Sequence, residues 1–305
     1  MLDLHKLEIF ECVVEEGSFS AAAQRLLMTQ SGVSQHIRDL ERSLGAKLFV
    51  RGRRGATLTP GGVALFDYSQ RILRLAAEAK NAVTDVANLD GGQVLVEATP
   101  GVSIYVLSEW VHTFREQHPK LTALLETRIT SQIVADVFAR RADIGFVEGE
   151  LEAGAEAKLG VQRLETIVQY VVVGPRHEFW PRAEVTMAEL DGRVFIMRQP
   201  ASQSRVWLDQ MLRQHQVTPR IGAEFDNMES IKRTVAAGAG LTIMPKYAVR
   251  DEEAYGALRT VPIAGEPLTR TLKMVWDARH YFTPVTRSLL AHLAPLYPAL
   301  KRLLQ

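Results

Sequence analysis

The chain has 305 residues, of which 47% are hydrophobic and 23% are charged, and its formal net charge is +1. That composition fits a globular protein with two or three cores, and the overall charge does not indicate a nucleic-acid binder. The single cysteine, Cys12, excludes an intrachain disulfide and is expected on the buried face of the first helix. The start, MLDLHKLEIF, is too short and charged for a signal peptide, and no apolar run approaches the ~18 residues of a membrane span. We therefore expect a cytoplasmic protein.

Three helices are predicted at the start of the chain. The first covers Leu2–Glu16, and the other two are short and joined by a tight turn. Ser18 or Ser20 can cap the second helix and Thr29 the third, because a hydroxyl oxygen accepts an amide proton at a helix start. Gly45 is expected to end the third helix, since glycine readily adopts the left-handed conformation.

The third helix has an apolar and a polar face. The apolar residues at helical spacing are expected to point inward: Val33, Ile37, Leu40 and Leu44. The candidate DNA-contacting residues lie at the helix start and on the opposite side: Thr29, Gln30, Ser31, Ser34, Gln35 and Arg38. Glutamine can pair with adenine and arginine with guanine or phosphate. The pattern predicts a helix-turn-helix whose second helix enters the major groove, with an ordinary amphipathic surface helix as the alternative.

A β-wing is predicted directly after the third helix. Extended segments at 47–51 and 56–59 flank the turn Gly52-Arg53-Arg54-Gly55. Between Arg42 and Phe66 there are five basic residues and no acidic one, which is typical of phosphate contacts. The candidate DNA contacts of the wing are Arg51, Arg53 and Arg54.

A long helix opened by Pro60 carries an apolar heptad repeat. The repeat positions, which are the candidate dimerisation residues, are Leu65, Tyr68, Ile72, Leu75, Ala79, Ala82, Val86 and Leu89. A sustained 3.5-residue repeat favours pairing with a second copy of the helix, and therefore a homodimer. Packing of this helix on its own domain is the alternative.

Strands and helices alternate after the hinge Asp90-Gly91-Gly92. Strands are predicted at Gln93–Ala98, Leu121–Arg128, Ile144–Val147, Thr166–Val173, Arg193–Met197, Ile221–Phe225, Leu241–Met244 and Leu272–Trp276. Helices are predicted at Ser103–His118, Ser131–Arg140, Ser204–His215, Met228–Ala237 and Pro284–Leu304. The alternation implies parallel sheets with helices on both faces. Its length indicates two α/β lobes, with chain crossings near 159–164 and 266–269.

Taken together, these residues closely resemble the LysR-type transcriptional regulators over the whole chain. The residues that carry the resemblance are Ser18-Phe19-Ser20-Ala21-Ala22-Ala23, Leu26, Thr29-Gln30-Ser31, Val33-Ser34, Ile37, Leu40-Glu41, Leu44-Gly45, Leu48-Phe49, Arg51, Arg54, Leu58-Thr59 and Gly62. Weaker marks follow at 142–145 (ADIG) and 235–245 (VAAGAGLTIMP).

The resemblance implies an α/β fold with an N-terminal winged helix-turn-helix (1–60), a long linker helix (61–90) and a two-lobed effector-binding domain resembling periplasmic binding proteins (91–305). Lobe I is expected at about 91–161 and 268–305, and lobe II at about 162–267. It further implies a dimer or a dimer of dimers that bends promoter DNA and responds to a small-molecule coinducer, with RNA polymerase as a candidate partner. One departure is the run Arg198-Gln199-Pro200-Ala201-Ser202-Gln203-Ser204-Arg205, where the family often has glycines.

The effector is expected beyond the carboxyl ends of the strands, next to helix N-termini, where ligands bind in open α/β sheets. The candidate residues are Thr99, Pro100, Gly101, Val102, Ser103, Thr130, Ser131, Phe146, Arg198, Gln199, Ser202, Phe225 and Asn227. Helix N-termini, hydroxyl groups and one arginine favour a carboxylate or small inorganic anion. Simple helix capping is the alternative for each serine and threonine, and the two phenylalanines are alternatively core residues.

Other classes of protein fit the sequence less well. The chain has no nucleophile elbow, phosphate loop or dinucleotide loop in a suitable setting, and no metal-ligand spacing. We therefore expect no enzyme, no metal and no cofactor. A solute-binding protein would lack the DNA-reading helices, whereas an architectural DNA binder with an empty cleft remains an alternative. The sequence leaves open the effector, the target genes and whether the protein activates or represses.

Overall fold

The computed structural model describes residues 3–52, 55–82, 91–152, 154–156, 159–279 and 281–304. The chain forms two compact units, residues 1–89 and 90–305, and each has a hydrophobic core of its own. No helix among the described residues combines the length and the apolar character needed to cross a lipid bilayer.

The first unit contains the predicted helices and wing. Its helices are α1 (Leu4–Glu16), α2 (Phe19–Arg25), α3 (Gln30–Leu44) and α4 (Pro60–Ala82). Its strands, β1 (Phe49–Gly52) and β2 (Gly55–Leu58), pair antiparallel. The core contains Cys12, as predicted, and is formed mainly by aliphatic and aromatic side chains of α1, α2 and α3.

The helix ends lie where the sequence predicted them. The hydroxyl of Ser18, not that of Ser20, accepts the amide of Ala21 at 3.0 Å, and Thr29 Oγ1 accepts the amide of Gly32 at 3.1 Å. Gly45 ends α3 with a φ of 65°. In the turn between α2 and α3, Leu27 adopts a φ of 56° and is 95% exposed, so the turn holds a left-handed residue that is not glycine.

Two predicted orientations on α3 are wrong. Ser34, expected on the outer face, is buried, whereas Leu44, expected to point inward, is exposed. In the last turns of the helix, the side chain of Glu41 is buried instead. Its carboxylate accepts hydrogen bonds from the amide of Leu48 and the ammonium of Lys47, both at 2.9 Å. Helical spacing gives the direction of a buried face, but it does not show where the neighbouring elements stop covering that face.

The heptad on α4 does not form one uniform seam. Leu65 and Ile72 pack on the core of their own unit, whereas Tyr68, Leu75 and Ala79 are exposed. This difference arises because the early turns of α4 contact α1 and so turn one side of the helix towards its own domain. The last part of the repeat, Val86 and Leu89 together with the side chain of Ala82, lies outside the described residues.

The second unit has the alternating order that the sequence predicted. Its strands are β3 (Gln93–Ala98), β4 (Thr122–Thr127), β5 (Ile144–Glu148), β6 (Gly160–Val173), β7 (Val194–Arg198), β8 (Arg220–Phe225), β9 (Thr242–Pro245), β10 (Arg259–Val261) and β11 (Thr269–Trp276). Its helices are α5 (Pro100–Val102), α6 (Ser108–Gln117), α7 (Thr130–Phe138), α8 (Gln203–Gln214), α9 (Met228–Ala236), α10 (Arg250–Ala254) and α11 (Pro284–Leu293).

Two predicted helices are interrupted. A π-helical turn at Ser103–Leu107 separates α5 from α6. The predicted helix over 284–304 ends at Leu293 and is followed by a 3₁₀ helix at Pro298–Leu303. Proline causes the second break, because Pro295 and Pro298 lack the amide proton that an α-helix would use.

The seven-stranded sheet is mixed, whereas β7 and β8 form a parallel pair, so the prediction of parallel sheets is only partly right. Pairing is parallel between β3 and its neighbours β4 and β5, and between β7 and β8. The strands β6 and β11 run antiparallel to each other over their whole paired length. Along residues 160–168, β6 pairs with β11, and from Gln169 onwards it pairs with β9 and β10. The two long strands β6 and β11 run in opposite directions, and β6 joins β9 and β10 to the part of the sheet that contains β3, β4 and β5.

Candidate DNA-reading helix and effector cavity

The exposed face of α3 carries a connected row of polar side chains. Gln35 Oε1 accepts Arg38 Nη2 at 2.8 Å, and Gln35 Nε2 donates to Asp39 Oδ1 at 2.9 Å. The same Asp39 oxygen pairs with Arg42 at 3.0 Å. The row holds two arginines and one carboxylate, so it is positively charged, and its bonds orient Gln35 and Arg38 along one line of the helix.

The start of α3 has a more structural role than the sequence predicted. The Thr29 hydroxyl caps the helix and lies 3.1 Å from Ser31 Oγ. Ser34 is buried and accepts a bond from Gln30 Nε2 at 3.4 Å. Gln30 and Ser31 are exposed at the first turn, the part of a recognition helix that meets base edges. Ser34 therefore faces the core and contacts Gln30.

Some of the predicted basic patch is neutralised. Of the five basic residues counted between positions 42 and 66, Arg42 pairs with Asp39 and Lys47 with Glu41. These two acidic residues, Asp39 and Glu41, lie just before the segment from Arg42 to Phe66, which contains no acidic residue. Arg53 and Arg54 lie outside the described residues, as does the side chain of Arg51.

The second unit contains a cavity of about 300 Å³. It is lined by eight of the thirteen predicted effector residues: Thr99, Pro100, Gly101, Thr130, Ser131, Arg198, Gln199 and Ser202. The N-termini of α7 and α8 reach it, and each presents a hydroxyl, Ser131 and Ser204. Exposed amides and the positive end of the helix dipole favour a negatively charged ligand at such ends.

Five predicted residues do not line the cavity. Val102 and Phe146 are fully buried in the core. The Ser103 hydroxyl lies 2.8 Å from that of Thr127, and Asn227 caps α9 by accepting the amide of Ser230. Phe225, at the end of β8, packs on a core cluster that includes Ile231 and Val235 of α9. For Phe146 and Phe225 these placements are the core role that the sequence had left as an alternative.

A polar cluster in the cavity was missed. The carboxylate of Glu148, at the end of β5, accepts Gln169 Nε2 at 3.2 Å, Arg270 Nη1 at 3.0 Å and the hydroxyl of Tyr247. Burial and the Glu148 charge hold the pKa of Tyr247 well above its usual range. The only sequence signal was an acidic residue directly after a buried strand. Its partners lie far along the chain and give no local signal.

Arg205 and Arg198 differ in their surroundings. Arg205 is paired with Asp209 at 2.9 Å and with Glu224 at 2.6 Å, and it donates to the carbonyl oxygen of Arg198. The side chain of Arg198 is half-buried, and its Nε has no hydrogen-bond partner among the described residues. Burial lowers the pKa of Arg198, while the nearby charge of Asp226 opposes that effect.

Two family models match this chain. Residues 4–63 match the bacterial regulatory helix-turn-helix protein model of the lysR family. Residues 87–297 match the LysR substrate-binding domain. Together these matches cover the reading helix and the cavity.

Curated relatives and solved structures agree with these matches. A probable RuBisCO transcriptional regulator of Trichormus variabilis is 28% identical over 96% of this chain and 88% of its own length. The protein of that name from Porphyra purpurea is 27% identical over 96% of this chain and 94% of its own. The structure of full-length CbnR with its target DNA is similar with a TM-score of 0.73 at 19% identity, over 96% of this chain and 99% of that one. The structure of full-length OxyR from Pseudomonas aeruginosa is similar with a TM-score of 0.70 at 20% identity, over 98% of this chain and 96% of that one. The chain therefore belongs to the LysR family and is a DNA-binding transcriptional regulator with a substrate-binding domain.

Proposed function

We propose that this regulator binds promoter DNA in the cytoplasm as a homodimer or a dimer of dimers, and that a small anion in the cavity switches it. In this proposal, residues 1–60 read DNA, 61–90 join the two copies and 91–305 bind the effector, with the lobes dividing near 161 and 267. The observation that carries the effector part is the cavity itself. It combines two helix N-termini with the guanidinium of Arg198, which has no partner among the residues that the structure describes.

The DNA part of the proposal rests on the exposed polar row of α3. Gln35 presents an amide, and Arg38 next to it presents a guanidinium that Gln35 holds in place. Both can pair bidentately with purine edges in the major groove. The CbnR structure with its target DNA shares this fold, which supports the same docking of α3 here.

Replacing Gln35 with alanine is expected to flatten the preference among operator sequences, by about 1–3 kcal/mol for a good bidentate base contact. Fluorescence anisotropy against the chain's own upstream region and single-base variants of it measures this effect. Gln214→Ala, an exposed glutamine of α8 in the other unit, is the matched control. An equal loss of affinity on all sequences would mean that Gln35 does not read a base.

The wing gives a separate electrostatic signature. If Arg53 and Arg54 contact phosphate, then Arg53→Ala or Arg54→Ala lowers the slope of affinity against salt concentration without changing sequence preference.

The dimer part rests on the exposed side of α4. Tyr68 is 58% exposed and Leu75 50% exposed, and they lie seven residues apart on the same side of the helix, with Ala79 one turn further. Such a stripe can pack against its copy, because residues at heptad spacing align along one seam. Sedimentation of Leu75→Lys is the direct test, since a monomer at working concentration is expected only if this stripe holds the copies together.

The switch is tested by footprinting the upstream promoter with and without a panel of metabolite carboxylates, phosphate and sulfate. At least one anion is expected to change the length or the bend of the protected region. Thr99→Ala or Ser131→Ala is expected to weaken the binding of that anion by about 0.5–1.5 kcal/mol for each lost hydrogen bond. A footprint that no anion alters would argue for an architectural DNA binder without an effector.

A further inference from the structure

All but one of the charged residues that line the cavity form ion pairs within the described part of the chain. Four charged residues line it: Arg198, Arg205, Arg270 and Glu148. Arg205 forms ion pairs with two carboxylates, those of Asp209 and Glu224, and Arg270 forms an ion pair with Glu148 at 3.0 Å. Arg198 has no carboxylate within ion-pair distance among the described residues. Arg198 is therefore the one arginine of the cavity wall that has no ion pair within the described part of the chain.

Glu148 offers no free site for a cation. Its two oxygens already accept bonds from Gln169, Arg270 and Tyr247, and its charge is paired. A ligand with an ammonium group would leave that group unpaired in a poorly hydrated space, which is costly. A zwitterion such as an amino acid is therefore disfavoured.

A second arginine lines the same cavity. The side chain of Arg270 is 10% exposed, and its Nε is buried without a hydrogen-bond partner among the described residues. Its guanidinium lies 5.4 Å from the centre of the Trp207 ring, which also lines the cavity. Arg270 is already paired with Glu148, whereas the guanidinium of Arg198 has no hydrogen-bond partner among the described residues, so Arg198 is the donor left for an acceptor on a ligand.

The remaining wall is largely apolar. Its apolar members include Trp207, Leu208, Met228, Ile231, Ile243 and Met244. At roughly 30 Å³ for each water-sized group, the volume of about 300 Å³ holds about ten non-hydrogen atoms. Such a wall gains by covering a hydrocarbon body and gains little from a fully hydrated inorganic ion.

We propose that the cavity selects a monocarboxylate of about ten non-hydrogen atoms with an apolar body, whose carboxylate accepts hydrogen bonds from Arg198. The single arginine of the wall without an ion pair among the described residues matches one carboxylate on the ligand. A dianion would leave its second charge desolvated and unpaired, and a neutral amide would leave Arg198 unpaired. This inference rests on the proposed role of the cavity as the effector site.

The test is calorimetric titration of the full chain with matched probes. Phenylacetate, cyclohexylacetate and 4-methylpentanoate are the monocarboxylates, phenylacetamide is the neutral form, phenylmalonate the dianion, phenylalanine the zwitterion, and sulfate the inorganic anion. At least one monocarboxylate is expected to bind about 30-fold or more tightly than its amide, because truncating one side of a buried charge pair costs at least that much.

Variants of Arg198 separate charge recognition from shape. Arg198→Gln is expected to remove the preference for the monocarboxylate over the amide, and Arg198→Lys to keep much of it. Arg220→Gln is the matched control, because Arg220 is an exposed arginine of β8 in the same lobe and does not line the cavity. Thermal melting of each variant shows that it is folded.

The outcomes distinguish this inference from the proposed function. If phenylmalonate, sulfate, phenylalanine or the amide binds as tightly as every monocarboxylate, or if Arg198→Gln leaves the preference unchanged, the ligand class proposed here is wrong. A promoter footprint that still responds to such a compound leaves the switch itself standing. If no compound of any class binds while DNA binding is intact, both the switch and the ligand class are overturned.

Discussion

Gly62→Ala is expected to disrupt the winged helix-turn-helix and abolish DNA binding. A Cβ at this position would lie 2.2 Å from the backbone carbonyl oxygen of Leu48 and 2.8 Å from a methyl carbon of Leu58. The Leu48 carbonyl cannot move aside easily, because it accepts the amide of Thr59 at 2.9 Å. We expect a loss of about 3 kcal/mol in the free energy of unfolding of this unit, at the upper end for overpacking.

The adjacent glycine provides a matched control. A Cβ on Gly61 would lie 3.6 Å from the Lys47 carbonyl oxygen, which is an ordinary contact, and Gly61 is exposed. Gly61→Ala is therefore expected to be neutral or to stabilise α4 by at most about 1 kcal/mol. Circular dichroism melting and promoter binding of the two variants test the pair. Equal melting and equal DNA affinity of both variants would contradict the close approach of α4 to the backbone of Leu48.

Raising the pH is expected to destabilise the protein through Glu97, and Glu97→Gln is expected to remove that effect. Glu97 lies on β3 and is 2% exposed, and one carboxylate oxygen has no hydrogen-bond partner among the described residues. Burial and then Asp136, on α7, raise the pKa of Glu97 to about 8. Arg128 Nε, 3.8 Å away, opposes this shift, while Glu126 on β4 adds to it.

The sign of the pH effect is opposite to that of an ordinary salt-bridged carboxylate. The folded chain holds the Glu97 proton more tightly than the unfolded chain does. Protonated Glu97 therefore contributes its full stabilising effect at a pH below the pKa that this residue has in the unfolded chain. It is then lost as the pH rises from about 4.5 to about 8. The slope is at most about 1.4 kcal/mol per pH unit for one proton. The amide of a glutamine can still donate to Asp136, and its charge does not change with pH.

Denaturant unfolding at several pH values in this window measures the effect. The free energy of unfolding of the unaltered chain is expected to fall relative to that of Glu97→Gln as the pH increases. Glu184→Gln, which removes an exposed carboxylate elsewhere in the same unit, should leave the pH dependence of the unaltered chain in place. Parallel stability curves for Glu97→Gln and the unaltered chain would show that Glu97 is not protonated in the fold.

The sequence by itself determined the features that depend on neighbours along the chain. The caps at Ser18, Thr29 and Gly45 depend on hydrogen bonds and backbone angles within three or four residues, and all three are where the sequence predicted them. The same holds for most strands and helices, including β3, whose bounds match the prediction. Local rules are sufficient for these features, because a helix cap involves a single turn and a strand is recognised from side chains that alternate between its two faces.

The tertiary structure decided what depends on residues that are distant in sequence. Tyr247 and Arg270 reach Glu148 across 99 and 122 residues, so no local pattern could place them in one cavity. It also decided that Leu65 packs inward while Tyr68 remains exposed on the same predicted seam. Periodicity defines a face, but burial of that face depends on which elements pack against it. Which elements pack together depends in turn on the path of the chain through space, for example on the antiparallel pairing of β6 with β11.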